Sequence, residues 1–241
     1  HLAVKNPPRQ PAEFIEAEAK TLSFYSAQSG SDFTQNVGGF ARVSGTPLSF
    51  TALNPEMDKV IEGTREQEVR TDIHHDIPIT LGVQGAVALK GNWSVNAGLS
   101  YTRMGSSSYS GTAGYAVRTR QEVHYLGAPV QVQYRFNPGK RLSVYAGTGL
   151  LFEKAVAGKL THRYIVDYST ISESSERLAE LPSRWSANVG VGVEARVLFK
   201  VDVYVEPHFR YNFKEQSCIT TVHDVRPAQA GLKLGLRYNL R

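Results

Sequence analysis

Two adjacent histidines and an aspartate, His74, His75 and Asp76, are the side chains of this sequence best suited to bind a metal or exchange protons. Imidazole and carboxylate groups are zinc ligands, and the same groups act as general acids and bases. However, neighbouring residues of an extended chain point to opposite faces, and no third ligand stands at a spacing that would join them. The spacing therefore predicts a solvated loop without a bound metal.

Three other motifs that could carry chemistry have simpler structural explanations. Ser, His and Asp occur in the long polar segments, but no serine stands in a recognisable nucleophile motif. Gly91, Asn92 and Trp93 resemble the Gly-x-Trp signature of lipocalins, and a tight turn followed by a tryptophan explains them as well. Cys218 is the single cysteine, so it forms no intramolecular disulfide. We therefore predict a protein that is not an enzyme and that uses no cofactor.

Composition excludes two classes of protein. The 241 residues carry a net charge of +5, but Lys and Arg are scattered among acids and form no run, so we expect no nucleic acid partner. No stretch of about eighteen apolar residues offers a transmembrane helix. The length suits one large all-β domain or two smaller domains.

Alternating apolar and polar residues predict eight strands, and the connections between them alternate in length. The strand-like segments cover residues 21–29, 78–89, 93–103, 122–136, 142–157, 184–197, 201–213 and 228–240. Tight connections at residues 90–92, 137–140 and 198–200 alternate with long ones at 30–76, 105–118, 158–183 and 214–226. In an up-and-down meander, all tight turns then lie at one end and all long loops at the other. This asymmetry is typical of an outer-membrane barrel.

The two faces of these strands differ in composition. In VDVYVEPHFRYNF, residues 201–213, one face is apolar and the other carries acids and bases. The polar face of the sheet also holds the glycines at positions 82, 98, 127, 147, 149, 190, 192, 231 and 235. Glycine weakens a solvated strand but suits a crowded interior. We therefore predict that the polar, Gly-rich face lines a narrow lumen and that the aliphatic face contacts lipid. The alternative is a soluble lipocalin-like barrel with its apolar face inside.

Charged residues of the last three strands fall on the polar face. They are Glu194, Arg196, Asp202, Glu206, Arg210, Lys233 and Arg237. Unpaired charges in a confined lumen are costly, whereas the four basic and three acidic side chains of this set nearly cancel. A three-residue turn at 198–200 places Arg196 opposite Asp202, within reach of an ion pair. We expect these side chains to form a network that plugs the lumen.

Aromatic residues stand near the ends of the aliphatic face. They are Trp93, Tyr101, Phe136, Trp185, Phe213 and Tyr238. Amphipathic rings concentrate where the hydrocarbon of a bilayer meets water. We therefore expect these residues to form two belts at the membrane interfaces.

Five segments, taken in order, resemble a known protein family. IPITLGVQGAVALKGNWSVNAGLSYTRMGSS, VHYLGAPVQVQYRF, LSVYAGTGLLFEKAVAGKL, WSANVGVGVEARV and RPAQAGLKLGLRYNL are similar to the outer-membrane beta-barrel domain proteins abundant in Bacteroides-type Gram-negative bacteria. The likeness spans residues 77–241 and includes Tyr-Leu-Gly-x-Pro at 125–129 and Gly-Leu-Arg-Tyr at 235–238. The resemblance implies a barrel and no reaction, and it brings no catalytic residues.

The whole pattern predicts an integral protein of the bacterial outer membrane. Residues 1–20 form a Pro-rich tether, and residues 21–241 form an all-β, eight-stranded antiparallel up-and-down transmembrane β-barrel. The opening HLAVKNPPRQPAEF lacks a signal-peptide pattern, so we expect a processed chain or an excised fragment.

We expect a non-conducting monomer that contacts the lipid bilayer and lipopolysaccharide and serves as a structural or surface anchor. Its long loops would contact a ligand or a surface partner, which the sequence does not identify. A soluble ligand-binding barrel and a membrane-embedded lipid-modifying enzyme remain the alternatives.

Overall fold

The described part of the computed structural model comprises residues 19–30, 33–41, 55–136, 141–178, 181–213 and 227–240. Residues 1–18 of the predicted tether, Cys218, and the connections 137–140 and 214–226 lie outside these ranges, whereas the last two tether residues, 19 and 20, belong to the first strand. Within them the elements are β1 (Ala19–Ser29), β2 (Phe33–Gly38), α1 (Pro55–Gly63), β3 (Arg70–His75), β4 (Ile79–Ala88), β5 (Trp93–Gly111), β6 (Ala116–Arg135), β7 (Leu142–Val166), β8 (Ser169–Arg177), β9 (Ser183–Leu198), β10 (Val201–Asn212) and β11 (Ala228–Asn239).

The eight predicted strands close into a ring. The order around the ring is β1, β4, β5, β6, β7, β9, β10 and β11, and every neighbouring pair is antiparallel. β1 closes the ring by pairing with β11, from Thr21 opposite Asn239 to Ser29 opposite Gly231. Closure leaves no unpaired edge in the ring, which is the condition for a sheet to stand in a membrane. The predicted eight-stranded up-and-down barrel is confirmed.

The aliphatic face of the barrel points outward. Leu99, Leu126 and Leu234 are 68%, 53% and 49% exposed, whereas the inward-facing Glu153 and Glu206 are 0% and 1% exposed. A water-soluble barrel would reverse this distribution, because burial of apolar surface drives folding in water. The polar lumen and apolar exterior therefore agree with the prediction from strand alternation.

Three tyrosines fill the middle of the lumen, and glycines make room for them. Each ring lies directly opposite a glycine of an adjacent strand, in the pairs Tyr25–Gly82, Tyr145–Gly192 and Tyr204–Gly235. A Cβ at any of these glycines would overlap the opposing ring. The tyrosines are 8%, 1% and 2% exposed, respectively. The lumen glycines thus provide the space into which the largest interior side chains pack.

The long connections contain more regular structure than the sequence analysis predicted. β5 and β6 continue through the predicted loop at 105–118 as far as the turn at 112–115, and the connection 158–183 holds the end of β7 and all of β8. The connection 30–76 holds β2, α1 and β3. Beyond the lipid-facing band, the outer face of these strands becomes polar, and the apolar alternation that identified the strands disappears. No described helix has the length and apolar character needed to cross a membrane.

The hairpin between β9 and β10 differs in detail from its prediction. Leu198 pairs with Val201, so the turn has two residues, Phe199 and Lys200, instead of three. A register shift between Val201 and Asp202 then restores the expected pairing of Asp202 with Arg196. An extra residue on one strand has this effect, because a bulge changes the register by one position.

Candidate functional site

A buried ion pair occupies the centre of the lumen. Glu206 on β10 accepts a hydrogen bond from Lys233 Nζ on β11 at 2.8 Å and another from Tyr145 Oη on β7, also at 2.8 Å. Gln131 Nε2 on β6 lies 3.4 Å from the same carboxylate. Lys233 Nζ lies 5.3 Å from the centre of the Tyr25 ring. The carboxylate therefore links opposite sides of the ring.

A second charged group lies toward the end of the barrel that carries the tight turns, here called the turn end. Glu194 forms an ion pair with Arg237 and accepts a hydrogen bond from Arg135 Nη2 at 3.2 Å. The Arg237 guanidinium lies 5.4 Å and 5.1 Å from the ring centres of Tyr145 and Tyr204. A cavity of about 330 Å³ opens beside Arg135 and Arg237 at this end. Arg237 therefore lies between this cavity and the rings of Tyr145 and Tyr204.

A third charged group lies toward the opposite end, here called the loop end. Glu153 accepts hydrogen bonds from Arg184 Nε at 2.9 Å and from Thr102 Oγ1 at 2.7 Å. The Arg184 guanidinium lies 4.1 Å from the centre of the Tyr125 ring. Tyr125 belongs to a buried apolar cluster with Met104, Val123 and Ala155. This apolar cluster covers the Glu153–Arg184 pair on the side of the loop end.

Three members of these groups were not predicted from the sequence: Arg135, Glu153 and Arg184. The signal was available for Glu153, because the alternation that turns Ser143 and Tyr145 inward continues along β7 to Leu151 and Glu153. Glu153 stands on β7, outside the last three strands of the ring, to which the predicted charges belong. Arg184 stands at the start of β9, where the alternation turns it inward together with Ser186.

The predicted network of seven residues separates into pairs. Glu206 contacts Lys233, Glu194 contacts Arg237, and Arg196 lies 3.3 Å from Asp202. Arg210 is buried but does not join them: no ion pair involves it, and its Nε and Nη1 have no hydrogen-bond partner among the described residues. The reason is geometric, because β9 and β11 place Asn188 and Gln229 opposite Arg210 instead of carboxylates.

The Arg196–Asp202 pair stands at the turn end and is only half enclosed. The Arg196 side chain is 43% exposed, whereas Asp202 is 3% exposed and also accepts a hydrogen bond from Asn239 Nδ2 at 2.8 Å. We expect Arg196→Ala to lower the free energy of unfolding by at most about 1 kcal/mol, since solvent screens such a pair. Asp202→Ala in the Arg196→Ala background should cost less than it does alone. Additive effects in urea unfolding would show that the pair contributes no coupling.

The predicted interfacial aromatics all lie on the outer face. Trp93, Phe136 and Tyr238 stand at the turn end, and Tyr101, Trp185 and Phe213 stand toward the loop end. Neighbouring rings touch in both groups: Trp93 lies 5.0 Å from Tyr134, and Trp185 lies 4.9 Å from Phe152, between ring centres. The two groups bound the aliphatic band at its two ends. Their role as membrane belts remains a prediction.

The histidine motif does not assemble a catalytic site. His75 is buried, with its Nδ1 2.8 Å from Ser106 Oγ, whereas His74 faces outward, with its Nε2 3.6 Å from Asp76. The two imidazoles therefore lie on opposite faces of β3. Asp76 lies beside His74, whereas Ser106 contacts His75. No group of three or more metal-ligating side chains occurs among the described residues.

Burial of His75 predicts that the sheet at the loop end is sensitive to acid. Burial lowers the pKa of His75 below 6.5, the nearby His74 lowers it further, and Asp76 opposes the shift. The stabilisation from the neutral ring is complete above pH 6.5 and is lost as the pH falls toward the lower pKa of the folded state. We expect amide exchange in β3, corrected for the intrinsic rate, to increase over that interval. His75→Gln should remove this dependence, and an unchanged pH profile in that variant would contradict the assignment.

A family model for the outer membrane protein beta-barrel domain matches residues 15–239. No curated protein matches the sequence. Among solved structures, Neisserial surface protein A is 14% identical over 93% of this chain and 99% of that one, with a TM-score of 0.41. OprG from Pseudomonas aeruginosa is 9% identical over 93% and 98%, with a TM-score of 0.42. The outer membrane protease OmpT from Escherichia coli is 8% identical over 95% and 99%, also at 0.42.

Proposed function

Because this chain belongs to the family of outer membrane protein beta-barrel domains, we propose that it is a sealed barrel that anchors a folded extracellular platform to the bacterial cell surface. The bacterial outer membrane is the location that the family establishes. The specific role, the absence of catalysis and the Bacteroides-type origin stay predictions.

The observation that carries the proposal is the filled lumen. Glu206, Lys233 and Tyr145 join strands across the middle of the lumen. Tyr25 and Tyr204 pack beside them in the same buried cluster as Tyr145. An eight-stranded barrel has an interior just wide enough for its own side chains. Charged pairs and rings occupy that space. The barrel therefore supports an anchoring role better than solute passage.

A folded layer at the loop end of the barrel supports the second half of the proposal. Met57 and Val60 of α1 pack against Val117 of β6 and Tyr164 of β7 to form a small apolar core outside the barrel. The helix starts at Pro55, a residue favoured at a first helical position, with Glu56 and Asp58 near its positive end. A core of its own allows this layer to present a fixed surface.

The tips of the two long hairpins are joined to each other. Tyr115, at the β5–β6 turn, donates a hydrogen bond to Asp167 at the β7–β8 turn, and Tyr168 N donates to Gly114 O at 3.3 Å. Asp167 and Tyr168 have φ of 50° and 64°, as a two-residue type I′ hairpin turn requires. These contacts hold the hairpins together as one platform.

The two alternative functions lack support. A lipocalin-like binder needs an apolar interior, but the lumen contains Glu153, Glu194, Glu206 and their cationic partners. A lipid-modifying enzyme needs a nucleophile with an oriented base, and the Ser106–His75 contact has Asp76 on the other face of the strand. The soluble lipocalin-like barrel also leaves the exposed aliphatic belt unexplained.

The orientation of the platform can be tested by cysteine labelling in intact cells. Cys218→Ser removes the native thiol, and single cysteines then replace Ala113 at the β5–β6 tip or Lys90 at the β4–β5 turn, both exposed positions. Long loops of such barrels face the outside. We expect a membrane-impermeant maleimide to label Ala113→Cys in intact cells and Lys90→Cys only after the outer membrane is permeabilised. Labelling of Lys90→Cys alone in intact cells would refute the proposal.

A further inference from the structure

A cleft opens on the outer wall where β7 exchanges one neighbour for another. Ala155 N donates to Pro182 O at 2.8 Å just past the β9 pairing, and Leu178 N donates to Gly158 O at 3.1 Å where β8 begins to pair. Between these contacts lies a cleft of about 710 Å³. Its lining includes Val156, Ala157, Leu181, His124, Lys159 and Arg177. The floor of the cleft is mostly aliphatic and its rim is basic.

The cleft stands directly above the aliphatic belt. Tyr101, on the outer face of β5, hydrogen-bonds through Oη to His124 Nδ1 at 2.6 Å. The next row up places Arg103 opposite His124, and His124 lies opposite Ala157 on β7. Val156 and Leu181 are 45% and 40% exposed. The aliphatic floor is therefore continuous with the lipid-facing surface at its loop end.

Two cations face each other at the upper rim of the cleft. Lys159 and Arg177 lie directly opposite across β7 and β8, and neither forms an ion pair with any described residue. Like charges in directly opposite positions destabilise a strand pair. A bound anion would offset this repulsion.

Two described acids lie near this pair, and each contacts another side chain. Glu122 lies opposite Lys159 on β6 but forms its ion pair with Arg103. Glu176 also lines the cleft, and its Oε1 lies 3.7 Å from His162 Nε2. Lys154, one row below the cleft on the outer face, adds a further exposed positive charge. Among the described residues, the rim therefore keeps an excess of positive charge despite Glu122 and Glu176.

We propose that this cleft binds an anionic phospholipid or glycolipid of the outer leaflet, with the phosphate between Lys159 and Arg177 and an acyl chain on Val156, Ala157 and Leu181. Charge complementarity identifies the phosphate, and the aliphatic floor distinguishes a lipid from a soluble anion. The inference depends on the membrane location of the barrel and is independent of whether its lumen is sealed.

Trp185 provides a local probe for the test. It lies on the outer face of β9 beside Phe152, one row below the Lys154–Ser183 pairing. In a Trp93→Phe background, its fluorescence reports contact with brominated acyl chains. The protein would be refolded into phosphatidylcholine vesicles that contain brominated phosphatidylglycerol as a minor component. We expect quenching that corresponds to roughly a fivefold preference for the anionic lipid over random mixing, the attraction of about one basic residue for an anionic surface.

Matched variants separate the cleft from general surface charge. Lys159→Gln combined with Arg177→Gln should reduce the preference to random mixing, whereas Arg118→Gln, on the same outer face but farther from the membrane, should leave it unchanged. Glu176→Gln removes the acid on the rim and should increase the preference. Equal loss in Arg118→Gln, or no loss in the double variant, would overturn the proposal.

A soluble competitor separates a lipid site from an anion site. Glycerol phosphate carries the phosphate without an acyl chain, so it should not relieve the quenching at concentrations comparable to the lipid. Full relief would assign the cleft to a free phosphate and overturn the proposal. Random mixing in the unmodified chain would also overturn it while leaving the sealed-anchor function untouched.

Discussion

Glu206→Gln is expected to lower the free energy of unfolding by about 3–5 kcal/mol, the usual cost of removing one partner of a buried ion pair. Glu206 is 1% exposed, and the Lys233 side chain is 12% exposed, so the substitution leaves an enclosed ammonium group without its carboxylate. Gln also removes the charge that accepts the Tyr145 hydrogen bond at 2.8 Å. Urea unfolding in lipid vesicles would measure the change.

The double variant Glu206→Gln with Lys233→Met provides the control for this prediction. It removes both charges, so it should cost less than Glu206→Gln alone, because the larger penalty comes from the unpaired charge. If the two substitutions are additive, Lys233 does not depend on Glu206, and the central ion pair is not part of what stabilises the lumen.

Leu234→Arg is expected to cost about 2–4 kcal/mol, because a basic side chain at the middle of the lipid-facing band must enter hydrocarbon. Leu234 is 49% exposed on the outer face, near the centre of β11, with Val205 opposite it on β10. If this outer face stood in water instead of lipid, the same substitution would place an arginine in solvent at almost no cost. Refolding into vesicles followed by urea titration would distinguish the two situations.

Ala228→Arg is the matched control for this substitution. Ala228 is exposed on the same face of the same strand, but at its loop end, opposite Tyr211. The cost there should fall to about 0–1 kcal/mol, because the penalty for a charge decreases toward the interface. Equal costs at both positions would contradict the assignment of the outer face to lipid. Gly235 is a poor control, since any side chain there would overlap Tyr204.

The ring itself was predictable because two independent signals agree. The period of two separates inward from outward residues, and the tight turns fix which strands are neighbours. Gly91, with φ of 74°, stands in one of these turns, as its type predicts. Glycines on the polar face identified the lumen, and the structure gives the physical reason: Tyr145 and Tyr204 occupy the space that side chains at Gly192 and Gly235 would fill.

The platform at the loop end was not predictable by the same signals. Its strands stand in water, so their outer faces carry residues such as Arg118, Arg120 and Lys159, and the apolar alternation disappears. The apolar core around Val60 and Tyr164 joins segments far apart in sequence, and a contact of that kind leaves no periodic pattern. Arg210 forms no ion pair with a described residue because its cross-strand partners are Asn188 and Gln229, and this depends on strand register, which the sequence determines only approximately.

The sealed lumen is tested most directly by the electrical conductance of the purified, unmodified chain in a planar lipid bilayer. Insertion would be verified independently by the heat-dependent shift in gel mobility of the same preparation, and a porin in the same membrane would show that the assay detects open channels. With Glu206, Lys233 and Tyr145 bridging the middle of the ring, we expect insertion without steady current steps. Stable, porin-like steps from the inserted protein would show an open path through the barrel and contradict the account.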